Sequence, residues 1–251
     1  MIKALLLTLL TAAPAYAQTS SDICGVGPTP DIGCDAVRAR TIVDAAQPPW
    51  HVIGRVNFAS IDVRSHCTGT LIADDIVVTA AHCLFNRARK RWIPAESIRF
   101  VVGYQRGTHQ GAANALYYTL PGDQDPTSNS LSPSRASDWA LLVLDQPLRA
   151  VHQTHSEEIG PEPRIAGYPG IRPHVLSVAE NCTPSGEGAD IMVLNDCPIM
   201  QGDSGAPLVT MIDGQMIVLG IVSAVRSDGG NIQTLIIPAE NWTTALDMLQ
   251  R

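Results

Sequence analysis

The sequence lacks long apolar runs and an excess of basic charge. After residue 17, no stretch approaches the roughly 20 apolar residues that a transmembrane helix requires. The chain carries 17 Lys and Arg against 24 Asp and Glu, a formal net charge of −7. With this acidic balance, nucleic acid and anionic membrane surfaces are not expected partners.

The first seventeen residues resemble a secretory signal. Lys3 precedes the apolar run Ala4 to Leu10, and the small-residue ending Ala15-Tyr16-Ala17 resembles a signal-peptidase site. We therefore expect a mature chain that begins at Gln18, is secreted or periplasmic, and is a soluble monomer without membrane contact. The alternative is an uncleaved anchor or a buried N-terminal strand.

The sequence also lacks a Cys-x-x-Cys pair, internal repeats and low-complexity segments. Because that cysteine spacing is typical of metal sites, its absence agrees with a chain that needs no metal and no organic cofactor. Six cysteines are present, and an even number in an exported chain favours disulfides over free buried thiols. Several connectivities are possible, of which neighbour pairing is the simplest: Cys24 with Cys34, Cys67 with Cys83, and Cys182 with Cys197.

Short β-rich segments separated by Gly and Pro dominate the chain after Trp50, which favours a barrel or sandwich over a parallel α/β sheet. Residues 18–49 are expected to form an N-terminal arm, or a propeptide to about residue 40. A Pro-rich connection near 145–160 separates two halves, 50–150 and 151–251. Apolar residues at three- and four-residue steps predict a helix over 239–250, packed across the second half. The predicted strands are 51–58, 68–79, 98–103, 114–120, 139–144, 164–168, 174–179, 190–194, 207–212, 216–225 and 232–237.

Three motifs occur in the order His, Asp, Ser: Thr79-Ala80-Ala81-His82-Cys83, Asp138-Trp139-Ala140-Leu141-Leu142 and Gln201-Gly202-Asp203-Ser204-Gly205-Ala206-Pro207-Leu208. From about Trp50 to the C-terminus, this arrangement resembles the trypsin/chymotrypsin-like serine peptidases, above all their bacterial members. The resemblance implies an all-β fold of two six-stranded antiparallel Greek-key barrels with a C-terminal helix. It also implies a serine endopeptidase acting on proteins or peptides, with a disulfide clamping the histidine loop.

The three motif residues have distinct expected roles. A serine hydroxyl needs a neighbouring base, so His82 is expected to accept the proton of Ser204. Asp138 is expected to hold the imidazole in one tautomer, with Asp145 as a rival that lies in an exposed turn. The N–H groups of Gly202 and Ser204 are expected to bind the oxyanion, each worth roughly 3–4 kcal/mol.

The resemblance also assigns the acyl-side pocket. Ser223 matches the family serine that hydrogen-bonds the triad aspartate and begins the strand lining the substrate backbone. The trypsin-type aspartate is replaced by Pro198, followed by Ile199, and Val225 replaces a family glycine. Pro198, Ile199 and Val225 as pocket walls predict a small or medium apolar side chain, and Val222 replaces the histidine of glutamate-specific relatives.

Activation is left open between two hypotheses. In family zymogens, the aspartate matching Asp203 pairs with a freed N-terminal ammonium, and the segment Arg38 to Val43 resembles such a cleavage site. The new terminus would be Thr41 or Ile42. Without cleavage, Asp203 requires another partner, because a buried unpaired carboxylate is unfavourable.

Two other functions compete with peptide hydrolysis. A binding module on the same fold usually has lost a triad residue, and all three are present here. An α/β-hydrolase esterase has Gly-x-Ser-x-Gly with its histidine after the serine. Here Ala206 replaces the last glycine and His82 comes first, so this alternative is disfavoured.

Overall fold

The structure is a computed structural model that describes residues 23–25, 34–59, 64–148, 154–155, 160–188, 190–195, 197–228 and 231–251. The expected signal over residues 1–17 lies outside these residues. Strands dominate the described chain, and none of its helices combines the length and apolar character needed to span a bilayer.

The first half begins with a short arm. Its elements are α1 (Asp35–Ala39), β1 (Thr41–Ile42), a 3₁₀ helix (Trp50–Val52), β2 (Ile53–Ala59), β3 (Arg64–Ala73), β4 (Ile76–Thr79), a 3₁₀ helix (Ala81–Leu84), β5 (Phe85–Asn86), β6 (Arg91–Trp92), a 3₁₀ helix (Ala95–Ser97), β7 (Ile98–Val102), β8 (Gly111–Thr119), a 3₁₀ helix (Arg135–Ser137) and β9 (Ala140–Leu144).

The second half ends in a helix. Its elements are β10 (Thr154–His155), β11 (Arg164–Gly167), β12 (Ser177–Ala179), β13 (Pro184–Gly188), β14 (Ile191–Asn195), β15 (Pro207–Ile212), β16 (Gln215–Asp228), β17 (Asn231–Pro238) and α2 (Glu240–Leu249).

Six strands of the first half form a closed antiparallel barrel in the order β2-β3-β4-β9-β8-β7. β4 and β9 are buried along their whole length, as their runs of Val, Leu and Ile require. The segment predicted as one strand over 68–79 is two strands, because the turn residues Asp74 and Asp75 reverse the chain between β3 and β4. Closure leaves the barrel without free edges, which gives its strand ends fixed positions.

The second half forms a nine-stranded sheet in the order β1-β12-β11-β15-β16-β17-β14-β13, with β10 joined to β16. It has more than the six strands expected, because β1 of the arm, β10 and β13 extend it. β10 pairs with β16 in parallel, whereas the other pairs are antiparallel. The arm is therefore part of the second sheet through its pairing with β12.

The C-terminal helix contacts both halves of the described chain, because the amide of Asn241 also lies 3.5 Å from the Asp190 carbonyl of the second half. α2 buries Trp242 and Leu246, and it contacts β9 of the first barrel. The amide of Asn241 also donates to the carbonyl of Ala136 at 3.1 Å. The helix therefore follows the second sheet in sequence and also contacts the first barrel, which joins the two halves.

Candidate active site

His82 and Asp138 lie at the ends of neighbouring strands. His82 follows β4 in the 3₁₀ helix Ala81–Leu84, and Asp138 lies two residues before the buried strand β9. Thr79 of β4 pairs with Ala140 of β9, which brings the two segments together. The Nδ1 atom of His82 lies 2.8 Å from Oδ2 of Asp138 and 3.0 Å from Oδ1. The barrel thus positions an imidazole against a carboxylate.

The Asp138 carboxylate has further donors. The backbone N–H of His82 donates to its Oδ1 at 2.9 Å, and the hydroxyl of Ser223 donates to its Oδ2 at 2.5 Å. Because a carboxylate only accepts hydrogen bonds, Nδ1 of His82 must carry the ring proton in the neutral imidazole. The second nitrogen, Nε2, is then left as the basic atom.

Ser204 lies in the loop before β15 and lines the same cavity as His82, which has a volume of about 510 Å³. Its backbone carbonyl accepts the N–H of Thr68 at 2.9 Å, so the loop is attached to β3. Within the described residues, no hydrogen bond joins the Ser204 hydroxyl to His82. Such bonds are often long in a free enzyme and shorten when substrate binds.

Two backbone N–H groups beside Ser204 are free to bind a ligand. The Gln201 carbonyl accepts the N–H of Gly170 at 2.7 Å, and the Asp203 carbonyl accepts the N–H of Ala206 at 2.8 Å. In a trans peptide unit, the N–H points opposite to the carbonyl of the preceding residue. The N–H groups of Gly202 and Ser204 therefore point away from Gly170 and Ala206, to which the Gln201 and Asp203 carbonyls are bound. Neither has a protein acceptor among the described residues, and both residues line the cavity.

The loop geometry requires glycine at two positions. Gly202 has φ +98° and Gly205 has φ +76°, where other residues are strained. A Cβ on Gly202 would overlap the carbonyl oxygen of Tyr168, and a Cβ on Gly205 would overlap the hydroxyl of Thr79. The turn predicted around Ser204 therefore exists and lies tightly against the first barrel.

Asp203 is paired with Arg40 of the arm. The two guanidinium nitrogens of Arg40 lie 3.0 and 2.9 Å from the two oxygens of Asp203. The side chains are 1% and 0% exposed. The N–H of Met200 also donates to Oδ2 of Asp203 at 3.0 Å. In the uncleaved chain, this carboxylate has a full set of partners.

The expected pocket residues lie along two segments near Ser204. Ile199 is buried and Val225 is half-buried, and both belong to one apolar cluster of the second sheet. Pro198 is half-buried, and its carbonyl accepts hydrogen bonds from Arg40. Ser223 is buried on β16 and contacts Asp138, as described above.

The six cysteines form the three neighbour pairs expected: Cys24–Cys34, Cys67–Cys83 and Cys182–Cys197. The Cys67–Cys83 bridge connects β3 to the 3₁₀ helix that carries His82. Its sulfurs and His82 offer three donor atoms within 4.8 Å of one another. Because disulfide sulfurs are not thiolates, this cluster does not have the ligands of a metal site.

Sequence reasoning missed three residues that support the Ser204 loop. The hydroxyl of Thr68 donates to the Gly202 carbonyl at 2.8 Å and accepts the N–H of Tyr168 at 3.1 Å. The Nε2 of His66 lies 2.8 Å from the carbonyl of Tyr168, and burial lowers the pKa of His66. None has a local motif, because these hydrogen bonds join residues that are 100 to 134 positions apart.

Comparisons with known proteins agree with this geometry. The Trypsin family model matches residues 44–244. Hypodermin-A of Hypoderma lineatum is 29% identical over 193 residues, covering 64% of this chain and 68% of that protein. The Modular serine protease of Drosophila melanogaster is 29% identical over 111 residues, covering 41% of this chain and 17% of that protein.

Solved structures show the same fold. A Glu endopeptidase in complex with MPD has a TM-score of 0.65 at 21% identity, covering 84% of this chain and 97% of that chain. A thermostable serine protease, AL20, from an extremophilic microorganism has a TM-score of 0.59 at 18% identity, covering 78% and 96%. With the family match over most of its length, this chain belongs to the trypsin family of serine endopeptidases.

Proposed function

We propose that the protein is an exported endopeptidase that hydrolyses peptide bonds through an acyl-enzyme, with His82, Asp138 and Ser204 as its triad. The observation that carries the proposal is the Asp138 carboxylate, which contacts both His82 and Ser223 beside the cavity that Ser204 lines. That arrangement leaves a basic imidazole nitrogen on a residue that lines the same cavity as Ser204, which carries the only hydroxyl of the Gln201 to Leu208 motif.

In the acylation step, the Ser204 oxygen attacks the substrate carbonyl carbon while its proton moves to Nε2 of His82. Asp138 stabilises the imidazolium that forms. The N–H groups of Gly202 and Ser204 donate to the oxyanion of the tetrahedral intermediate. When the C–N bond breaks, the imidazolium returns the proton to the leaving amine, and the acyl group remains on Ser204 as an ester.

In the deacylation step, water replaces the amine. His82 takes a proton from the water molecule as the water oxygen attacks the ester carbonyl carbon. The same two N–H groups stabilise the second oxyanion. The Ser204 oxygen then leaves with the proton from His82, which restores the free enzyme. No metal or organic cofactor takes part in the proposed reaction.

The acyl-side pocket is proposed to prefer a small or medium apolar side chain. Ile199 is 5% exposed and Val225 is half-buried in the same apolar cluster. Pro198, the third proposed wall, offers no charge to pair with a basic or acidic substrate residue. Since one apolar methylene changes discrimination by only about 1–3 kcal/mol, the preference is expected to be loose.

Export is proposed from two features together. Residues 1–17 resemble a signal that would be cleaved after Ala17, and three disulfides suit an oxidising compartment. The mature monomer would then consist of the arm over 18–49, the first barrel within 50–150 and the second sheet with its helix within 151–251.

An active-site fluorophosphonate tests the proposed triad. We expect the purified wild-type protein to be labelled and to hydrolyse peptides, whereas Ser204→Ala and His82→Ala should do neither. Labelling without turnover of casein or of a peptide library would favour the alternative, a catalytically weak binding module. A library that shows strong preference for Arg, Lys or Glu on the acyl side would refute the apolar pocket.

A further inference from the structure

The ion pair between Arg40 and Asp203 does more than neutralise a buried charge. We propose that Arg40 is a positioning residue for the Ser204 loop, and that its pairing with Asp203 makes the uncleaved chain competent for catalysis. This inference rests on the proposed function, since it concerns the geometry of the proposed oxyanion site.

One guanidinium connects both ends of the segment that carries Gly202. Two nitrogens bind the Asp203 carboxylate at 3.0 and 2.9 Å, and Nε donates to the Pro198 carbonyl at 3.1 Å. The same carboxylate accepts the N–H of Met200 at 3.0 Å. Residues 198–203 are therefore folded around the Arg40 side chain. That fold sets the orientation of the peptide units on either side of Gly202.

Loss of this pair would disturb the oxyanion site directly. Asp203 precedes Ser204, so rotation of its backbone toward solvent would turn the Ser204 N–H away from the cavity. A carboxylate left buried without its partner has a strong tendency to move toward water. The positions of both proposed oxyanion donors therefore depend on a residue of the N-terminal arm.

The arm holds Arg40 in place from its other side as well. Thr41 and Ile42 pair with β12, and Arg172 donates to the backbone carbonyls of Arg40 and Arg38. The peptide bond after Arg40 thus has its carbonyl bound and its preceding side chain buried. A peptidase cutting there would have to extract Arg40 from Asp203, so cleavage at this bond should inactivate the enzyme.

Kinetics of Arg40 variants test this inference on the full exported chain. Arg40→Met is expected to lower kcat by about 100-fold or more, with little change in KM, because the oxyanion donors are misplaced. Arg40→Lys should keep part of the rate, and millimolar guanidinium should restore part of the rate of Arg40→Ala. Arg38→Met is the matched control, since Arg38 lies in the same arm and its side chain is 45% exposed.

Three outcomes would overturn the inference. The first is a folded Arg40→Met protein with wild-type kcat, and the second is activity found only in molecules that begin at Thr41 or Ile42 by intact mass. If Arg40→Met does not fold, the double variant Arg40→Met with Asp203→Asn, which leaves no buried charge, is measured instead. Wild-type kcat in that double variant is the third outcome. A wild-type protein that neither labels nor cleaves peptides would instead refute the proposed function.

A second inference comes from the cavity beside Ser204. We infer that it binds the leaving-group side of the substrate and favours an apolar residue followed by acidic residues. This too rests on the proposed function. Ser223 and Ala224 line a separate groove with Asp138, which is the expected acyl side. A substrate bound to Ser204 must then extend its leaving group toward the 510 Å³ cavity, which Gly202 and the Cys67–Cys83 bridge line.

The walls of this cavity are aromatic and basic. Phe58, Phe85 and Trp92 line it, and exposed arginines including Arg91 surround them. A neighbouring cavity of about 420 Å³ shares Phe58 and adds Arg99. Among the described residues that line either cavity there is no Asp or Glu. In a protein of net charge −7, this local excess of arginine favours carboxylates on the bound segment.

Partitioning of the acyl-enzyme between water and added amines tests this inference independently of the acyl-side preference, because the acyl group is the same in every reaction. With one ester as acyl donor, the amine capture products of Phe-Asp-amide and its neutral counterpart Phe-Asn-amide are compared. We expect Phe-Asp-amide to be captured about 2–5-fold better for each arginine it contacts. The advantage should shrink in about 0.5 M salt, where the Debye length is only a few ångströms and exposed charges are screened from each other.

Arg91→Gln and Arg99→Gln should reduce the preference for Phe-Asp-amide, while Arg164→Gln should not. Arg164 is the matched control because it pairs with Glu162 and lines neither cavity. Equal capture of the two amides, or an unchanged preference in the Arg91 and Arg99 variants, would overturn the inference. Ester hydrolysis that persists in those cases would leave the proposed function standing.

Discussion

The two halves of the proposed active site are held by different kinds of interaction. His82 and Asp138 lie at the ends of paired strands of a closed barrel, and a disulfide connects the His82 segment to β3. Ser204 lies in a loop whose preceding residue, Asp203, forms a buried ion pair with Arg40 of the arm, 163 residues earlier in the chain. The first half depends on strand pairing, whereas the second depends on single side chains from distant segments.

This difference predicts where substitutions act. Changes to the side chains of His82 or Asp138 should leave the fold intact and lower activity, because the barrel does not depend on those two side chains. Changes in the second half should alter the geometry of the loop as well. Four substitutions or conditions sharpen the comparison, in decreasing order of expected effect.

Asp138→Asn should have the largest effect, a loss of about 10⁴-fold in kcat. The amide would present N–H or a weaker acceptor to Nδ1 of His82 and favour the wrong tautomer. Thermal unfolding should change little, since the residue is at the barrel end. Steady-state kinetics and circular dichroism measure the two quantities. An activity loss below tenfold would mean that Asp138 does not orient His82.

Gly202→Ala should lower kcat by about 10²–10³-fold, because the Cβ would overlap the Tyr168 carbonyl and displace an oxyanion donor. Gly214→Ala is the control. Gly214 has a similar positive φ of +77°, but nothing lies within 4 Å of its Cβ position. Both variants carry backbone strain, so equal kcat losses in the two would contradict a special role for Gly202.

Removal of the Cys67–Cys83 bridge by paired Cys→Ala changes should lower the free energy of unfolding by about 3 kcal/mol. Removal of Cys182–Cys197, with a sequence separation of 15 against 16, should have a similar effect on stability. Only the first should also lower kcat, because only that bridge holds the His82 segment. Denaturant titration and kinetics of both variants give the comparison, and an equal kcat loss would contradict it.

The pH dependence of stability should show the smallest effect. Burial lowers the pKa of His66 below its usual value of 6.5, so the unfolded chain binds the proton more readily. The stability linked to His66 is therefore full above pH 6.5 and is lost as the pH falls through and below that value. His66→Gln should flatten part of this slope in urea titrations at several pH values. The rest should remain, because burial also lowers the pKa of His51.

Much of the fold could be predicted because the strands carry local signals. The eleven predicted segments overlap strands of the structure, and the apolar spacing after residue 239 marks α2. The two-residue strands β1, β5, β6 and β10 have no predicted counterpart, since so short a strand is specified by its neighbours rather than by its own pattern. β13 has none because its sequence contains Pro and two Gly, which are depleted in strands.

The site divides in the same way. The His82, Asp138 and Ser204 motifs are visible because each combines a reactive residue with its local backbone requirement. In the sequence, Arg40 is distinguished only as part of a segment that resembles a cleavage site. Thr68 has no recognisable motif, because a hydrogen bond to Gly202 across 134 residues leaves no local pattern. Such partners can be found only once the chain is folded.

The Cys24–Cys34 bridge has a consequence for the lifetime of the enzyme. Both cysteines precede Arg40, so the loop they close lies wholly within the arm and forms no covalent link to either sheet. After a single backbone break behind Arg40, the N-terminal segment would therefore be held only by noncovalent contacts, such as the Arg40–Asp203 pair and the packing of Val37 with Met200. If Arg40 positions the Ser204 loop as proposed, dissociation of that segment on dilution would end activity, because no covalent bond would keep the segment near its binding site.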